Sequence, residues 1–394
     1  MADPTRITAS RSHFRCLAAA CTAAVAAAHT IGSRPVRCLA LFVLLALTVS
    51  LAGLGTTHAA AKMPLVRAHG AELHTGGDRF IAYGFNYGTL EYFDRPNAKR
   101  LGAVRRDFER MRRMKVNTVR VFLELPQFMS SANRPNRRAL QGLSALLRMA
   151  QAKGIYLDIT GNLVWRPGRR AAWYDRLDER ERWQVQARFW RAVANRARSS
   201  NAVFTYELTS EPLIPTGGPV SGWYTGRFGG YDFGQYLVRD LQGRDPYQLG
   251  RRWARKLSSA IRSRDRRHLI GVGLLPFASG PLGPRNLASE LDLLLVHKYP
   301  KQDQAQRSVD LMQAFAAHGK PVVLGETFPL ASDNRTWREF LLGSRPYLEG
   351  FLSHYFPKAK GDRPDPLAEA LVRSATREFL RLRKPLLGEQ HGGA

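Results

Sequence analysis

Lys320-Pro-Val-Val-Leu-Gly-Glu-Thr-Phe-Pro329 is the stretch on which the fold turns. Val322, Val323 and Leu324 stand between a proline and a glycine, the composition of a short strand buried on both faces. The run ends at Glu326, and a carboxylate at the end of a buried strand is costly unless it is paired or used. Val203-Phe-Thr-Tyr-Glu-Leu-Thr-Ser-Glu-Pro212 has the same form and ends at Glu211. Two such strands predict two carboxylates meeting at one end of a sheet.

Outward from these runs, short apolar segments alternate with helical ones. A hairpin-like segment at 65–73, with a turn at Gly76-Gly77-Asp78, leads to a strand at 80–86. Leu101, Val104, Phe108, Met111 and Met114 then mark a helix over 97–114. Further strands are predicted at 117–123, 155–160, 203–211, 268–275, 291–297 and 322–326, and the last apolar stretch is 347–356. The intervening helices are 136–152, 179–198, 246–263, a short one near 286–290, 303–318 and 333–342, and 366–383 closes the chain. Eight strands alternating with helices over about 300 residues imply a closed (β/α)8 TIM barrel with its site at the C-terminal strand ends. An open doubly wound sheet is the competitor, but no glycine-rich phosphate loop follows the first strand.

The polar residues fit one mouth. Arg120 lies in the second strand, Glu211 ends the fourth, His297 and Tyr299 end the sixth, and Glu326 ends the seventh. Period two places Glu207, Thr209 and Glu211 on one face, and His297 with Tyr299 on another. Paired carboxylates on converging strands are the apparatus that cuts glycosidic bonds.

The 394-residue chain carries a formal charge of +28, mostly arginine. A solvated cationic surface and codon bias account for much of that; an acidic polysaccharide or envelope surface is the next partner class. The basic residues are spread over amphipathic helices and not gathered in one stripe with interleaved aromatics, which disfavours nucleic acid. Residues 1–61 read as a basic extension and signal peptide: Arg37 precedes an apolar run at 39–54, and Thr57-His-Ala59 or Ala59-Ala-Ala61 offers a cleavage site. The expectation is a secreted or periplasmic protein, with an uncleaved anchor at 39–54 as the alternative. Cys16, Cys21 and Cys38 all precede the cut, so the mature domain, 62–388, carries no thiol; 389–394 reads as a disordered tail. No metal spacing and no cofactor motif appears, and Gly-x-Ser-x-Gly is absent.

Five segments carry a resemblance: Gly84-Phe-Asn-Tyr87, Asn117-Thr-Val-Arg-Val121, Glu207-Leu-Thr-Ser-Glu-Pro212, Val296-His-Lys-Tyr-Pro300 and Pro321-Val-Val-Leu-Gly-Glu326. In this order, on these strands, they resemble the retaining glycoside hydrolases of the (β/α)8 clan that holds the cellulases and β-mannanases, glycoside hydrolase family five and its neighbours. The resemblance implies Glu211 as acid/base, Glu326 as nucleophile, Arg120 orienting Glu326, Tyr299 hydrogen-bonded to it, His297 beside the acid/base, and Asn86 in the site. Two departures bear on the sugar. Ser210 stands where the family has an Asn that binds the 2-hydroxyl, and His354, Tyr355 or Phe356 stands where it has a Trp beneath the sugar.

The implied reaction is double displacement on a β-linked saccharide, needing an ionised Glu326 and a protonated Glu211. A transglycosylase and a non-catalytic carbohydrate-binding barrel are the alternatives. Glu207 reads as structural, paired with a basic group deeper in the barrel. Asp158 and Asn162, near the end of the third strand, are weaker candidates; Asn162, Trp165 after that strand, and Trp223 in the glycine- and aromatic-rich segment 213–247 are candidate sugar contacts. Arg166, Arg169 and Arg170 are expected either to meet acidic sugars or to be solvated.

Overall fold

A computed structural model describes residues 63–354, 356 and 366–388. The leader at 1–61 with its cysteines, Tyr355 and the tail at 389–394 lie outside the described residues.

The eight apolar segments form one closed parallel barrel. Its strands are β1 (Ala82–Tyr87), β2 (Thr118–Glu124), β3 (Tyr156–Leu163), β4 (Val203–Ser210), β5 (Leu269–Leu274), β6 (Leu294–His297), β7 (Val322–Thr327) and β8 (Gly350–Ser353). Each is hydrogen-bonded to the next and β8 returns to β1, so no edge is left. Every residue of all eight strands is buried, which is why they read as apolar runs and not as alternations.

The helices begin where short polar side chains can satisfy free backbone donors. Asn97 accepts from Arg100 N, Asn136 from Arg138 N, and Asp178 forms a capping box with Glu181. Their apolar faces, such as Val104, Phe108 and Met111 of the helix Ala98–Arg113, cover the barrel. Below it, Glu349 takes Arg79 and the Leu73 amide, closing the bottom with the N-terminal hairpin.

Three expectations need correction. β1 starts at Ala82 and not at 80, because Phe80 N is hydrogen-bonded to Leu73 O in the hairpin. β3 runs three residues further, to Leu163. The segment after Glu211 is not an open loop. Pro212–Leu213, Tyr224–Phe228 and Tyr231–Tyr236 make a small sheet with the last strand central, attached through Gln235 N to Glu211 O. Among the described residues no helix is long and apolar enough to cross a membrane.

Candidate active site

Arg120 is the hub. It is fully buried in β2, and its guanidinium reaches four side chains. Nε and Nη2 donate to the two oxygens of Glu207, each at 2.6 Å. Nη1 donates to Asn86 Oδ1 at 2.8 Å and to Glu326 Oε1. Nη2 also meets Ser210 Oγ at 3.2 Å. Planar bidentate geometry of this kind is available to Arg and not to Lys. Asn86 is itself tied by its amide nitrogen to Gly325 O and Ser353 O, so it braces Arg120 against β7 and β8.

Glu326 ends β7 with both oxygens engaged. Oε1 lies against Arg120 and 3.6 Å from His297 Nδ1. Oε2 accepts from Tyr299 OH at 2.6 Å and lies 3.1 Å from His354 Nδ1. Burial alone would raise its pKa, but His297, His354 and Arg120 together hold it well below the usual carboxylate range. Glu326 is therefore an anion. His354 is a contact the sequence left unresolved among three neighbours; Phe356, another of the three, is buried against Phe85 and Tyr87.

Glu211 reaches the same spot by a different backbone route. Simple alternation would put Glu207 and Ser210 on opposite faces, yet both contact Arg120. The cause is a bulge: Gly271 pairs with Glu207 but Gly273 pairs with Ser210, so β4 carries an extra residue here. Glu211 then adopts φ +49°, uncommon for a residue with a Cβ, and this turns its carboxylate into the mouth. Glu211 Oε1 is 2.9 Å from His297 Nδ1. Gly273 opposite is required: a Cβ there would stand 2.2 Å from Glu207 Oε1. His297 is fully buried; burial opposes its charged form, but Glu326 and Glu211 raise its pKa. One oxygen of each carboxylate and one His297 nitrogen all lie within 4.8 Å of one another. These are also metal-ligand types, but Arg120 already places a fixed positive charge on Glu326, where a cation would sit.

Asp158, only a weak candidate from the sequence, is also a member of this cluster. It is fully buried on β3 beside Arg120, and neither oxygen has a hydrogen-bond donor. Burial and the Glu207 carboxylate raise its pKa well above the ordinary range, so it is held neutral. Folding thus takes up a proton here. Stability is lost as pH rises from the unfolded carboxylate range towards the raised folded pKa. Asp158→Asn does not titrate and removes that loss. The variant is expected to be more stable than the parent at pH 7, by on the order of 1 kcal/mol, with the advantage shrinking towards pH 4. Thermal unfolding at both pH values checks it; an equal difference at both would contradict it.

The rim divides the remaining candidates. Trp165 is half-buried against Phe122, with ring centroids 4.7 Å apart, and its amide is held by Glu124. Its cluster with Leu90, Phe122 and Leu163 stands apart from the main core. Asn162, one residue before the end of β3, has φ +56° and donates to Leu208 O at 3.2 Å. Trp223 is not a sugar wall. It is buried, with the Arg182 guanidinium 4.1 Å and the Arg239 guanidinium 5.0 Å from its ring, so it packs the lid sheet itself. The aromatics that sheet does expose are Phe228, Tyr231 and Phe233. Of the nearby arginines Arg166 and Arg170 are withdrawn into ion pairs, whereas Arg169 stays exposed. Arg166 bonds Asp94 and Glu124, Arg169 reaches Asp94 at 3.2 Å, and Arg170 pairs with Asp232 and stacks on Tyr224.

No family model matches the chain, and no curated protein matches it. Solved structures do. An exo-beta-1,4-mannosidase from Opitutaceae bacterium strain TAV5 superposes with TM-score 0.60 at 17% identity, over 83% of this chain and 62% of that one. GH5_18 from Streptomyces cattleya in complex with GlcNAc gives TM-score 0.61 at 17% identity, over 80% and 82%. An endo-1,4-beta-mannanase from Rhizomucor miehei gives TM-score 0.56 at 17% identity, over 80% and 99%. By fold, the chain resembles the (β/α)8 barrels of GH5 mannanases and mannosidases.

Proposed function

We propose that the chain is an exported retaining glycoside hydrolase acting on a β-linked saccharide, with Glu326 as nucleophile and Glu211 as acid/base. One observation carries this: two carboxylates from β4 and β7 face each other with oxygens within 4.8 Å, at the C-terminal mouth of the barrel. Retaining enzymes need about 5–5.5 Å, inverting ones about 6.5–9.5 Å to admit a water between.

The environments support distinct roles. Glu326, kept ionised by Arg120, His297 and His354, attacks the anomeric carbon. Glu211 gives its proton to the glycosidic oxygen as the bond to the leaving group breaks. It then takes a proton from the water that resolves the ester. His297, hydrogen-bonded to Glu211 and near Glu326, links the two carboxylates. Tyr299 and His354 hold Oε2 of Glu326 while Oε1 stays on Arg120. Arg166 and Arg170 are engaged by acidic side chains, so the proposal assigns no anionic sugar to them. The mannose-acting neighbours make β-mannosides the first sugars to try. Covalent trapping of Glu326 by a slow-reacting glycoside is the test.

A further inference from the structure

The end of the barrel opposite the mouth carries an arc of arginines. Two stretches that lead into neighbouring strands supply it. Arg196-Ala-Arg198-Ser-Ser-Asn201 closes the helix Glu179–Ala197 and leads into β4. Arg264-Asp-Arg266-Arg267-His268 follows the helix Pro246–Arg262 and leads into β5. β4 and β5 are paired, and Arg267 ties the stretches together by donating to Arg198 O at 3.2 Å and to Asn201 Oδ1 at 2.7 Å. All five arginines are exposed, and among the described residues no carboxylate lies within ion-pair reach of any of them. The one acid in either stretch, Asp265, is buried and taken up by Tyr206 OH, His268 Nδ1 and the Arg267 amide.

Helix ends explain only part of this. A macrodipole favours cations in the last helical turn and fades beyond it. Arg196 has that place, but Arg264, Arg266 and Arg267 lie past the end of their helix. Elsewhere at this end the cations are neutralised: Lys153 and Arg112 share Glu109, Arg79 takes Glu349, and Arg262 takes Asp292. Like charges gathered without counterions repel one another and are relieved by an anionic partner. The path of the chain points to which one. Asn201 Nδ2 donates to Met63 O at 2.6 Å, so the chain enters the barrel beside the arc. Eight residues, 55–62, separate Met63 from the apolar run at 39–54. They reach at most about 29 Å, so a bilayer holding that run stands before this end of the barrel and not before the mouth. Neither stretch has a Phe, Tyr or Trp to stack on a nucleic-acid base. We infer that the arc docks on an anionic lipid surface, its guanidinium groups meeting headgroup phosphates while the mouth faces away and stays open to substrate. The docking does not depend on the chemistry proposed for Glu211 and Glu326.

The test is flotation of the full chain on phosphatidylcholine vesicles with and without phosphatidylglycerol, at about 0.1 M salt, where charges act over about 10 Å. The apolar run contributes alike to both lipids, so the difference reads the charge. Phosphatidylglycerol is expected to strengthen binding by at least about tenfold. Each basic residue near an anionic surface is worth about fivefold, so Arg198→Glu, Arg264→Glu and Arg266→Glu together are expected to weaken binding to the anionic vesicles by about 100-fold. Arg134→Glu, Arg137→Glu and Arg138→Glu together change the net charge equally, at exposed positions at the start of the helix Arg137–Ala152, by the mouth. They are expected to leave binding within about threefold of the parent, and melting of both variants checks that they fold. Equal binding with and without phosphatidylglycerol overturns the inference. Equal losses in the two triple variants also overturn it, because net charge and not this face would then be at work. Capture by soluble dextran sulfate that is tighter than capture by vesicles of the same charge, and is lost with the arc, overturns the lipid and puts an acidic polysaccharide in its place.

Discussion

Glu326→Ala is expected to lower turnover by on the order of 10⁴-fold or more, whatever the leaving group. No neighbour can replace it. Arg120, Tyr299, His297 and His354 surround Glu326 as cations or donors. Glu207, the other carboxylate on Arg120, is fully buried and bonded through both oxygens. Added azide is expected to restore turnover by entering the space the carboxylate leaves. Glu211→Ala is expected to behave differently. It should lose activity steeply on alkyl glycosides, whose oxygen must be protonated, and little on dinitrophenyl glycosides, whose oxygen need not be. Kinetics of both variants across a leaving-group series check this. Equal losses in the two series would mean the roles are misassigned.

Arg120→Met is expected to cost about 3–5 kcal/mol of stability, the range for breaking a buried ion pair from one side. The reason is the charge left behind. Glu207 and Glu326 both lie on the guanidinium, and Asp158 is already neutral. Without Arg120, two buried carboxylates stand beside a third carboxyl. The chain must take up protons to fold, so the loss is expected to be largest at neutral pH and smaller in acid. Arg120→Met combined with Glu207→Gln should recover part of the stability, because one unpaired charge is removed. It should not recover activity, because Glu326 still lacks the guanidinium that holds its Oε1. Urea unfolding at pH 5 and pH 7.5, with activity on the same samples, checks both halves. A loss under about 1 kcal/mol in the single variant would show that Arg120 is not the hub.

The barrel was legible because its signal is local. Each strand is buried from end to end, so each appears as an apolar run, and the helices between show their own period. Arg120, Glu211, His297, Tyr299 and Glu326 were legible because strand order fixes which ends meet. What the sequence hid is non-local. The extra residue in β4 is set by pairing with Gly271 and Gly273, some sixty residues away, so counting by twos along β4 does not show it. Trp223 read as a sugar wall because nothing nearby in sequence announces Arg182. Arg166 read as available because its partners, Asp94 and Glu124, end a short helix and β2, more than forty residues earlier in the chain. Asp158 read only as a weak candidate because its neutrality comes from burial beside Glu207, a feature of the closed barrel. The departure at Ser210 was visible, but its hydroxyl's contact with Arg120 was not.

The role of Glu326 is tested most directly by intact-protein mass after incubation with 2-fluoro β-glycosides of mannose, glucose and galactose, on the parent chain and on Glu326→Ala. The 2-fluorine slows breakdown of a glycosyl ester, so a nucleophile that forms one is trapped. The account predicts a gain of one fluorosugar, located to Glu326 by peptide mapping and absent from Glu326→Ala. It also predicts that one of the three sugars labels fastest and so names the sugar bound at the centre. A label on Glu207 or Glu211, or an unlabelled parent that nonetheless hydrolyses the parent glycosides, would contradict it.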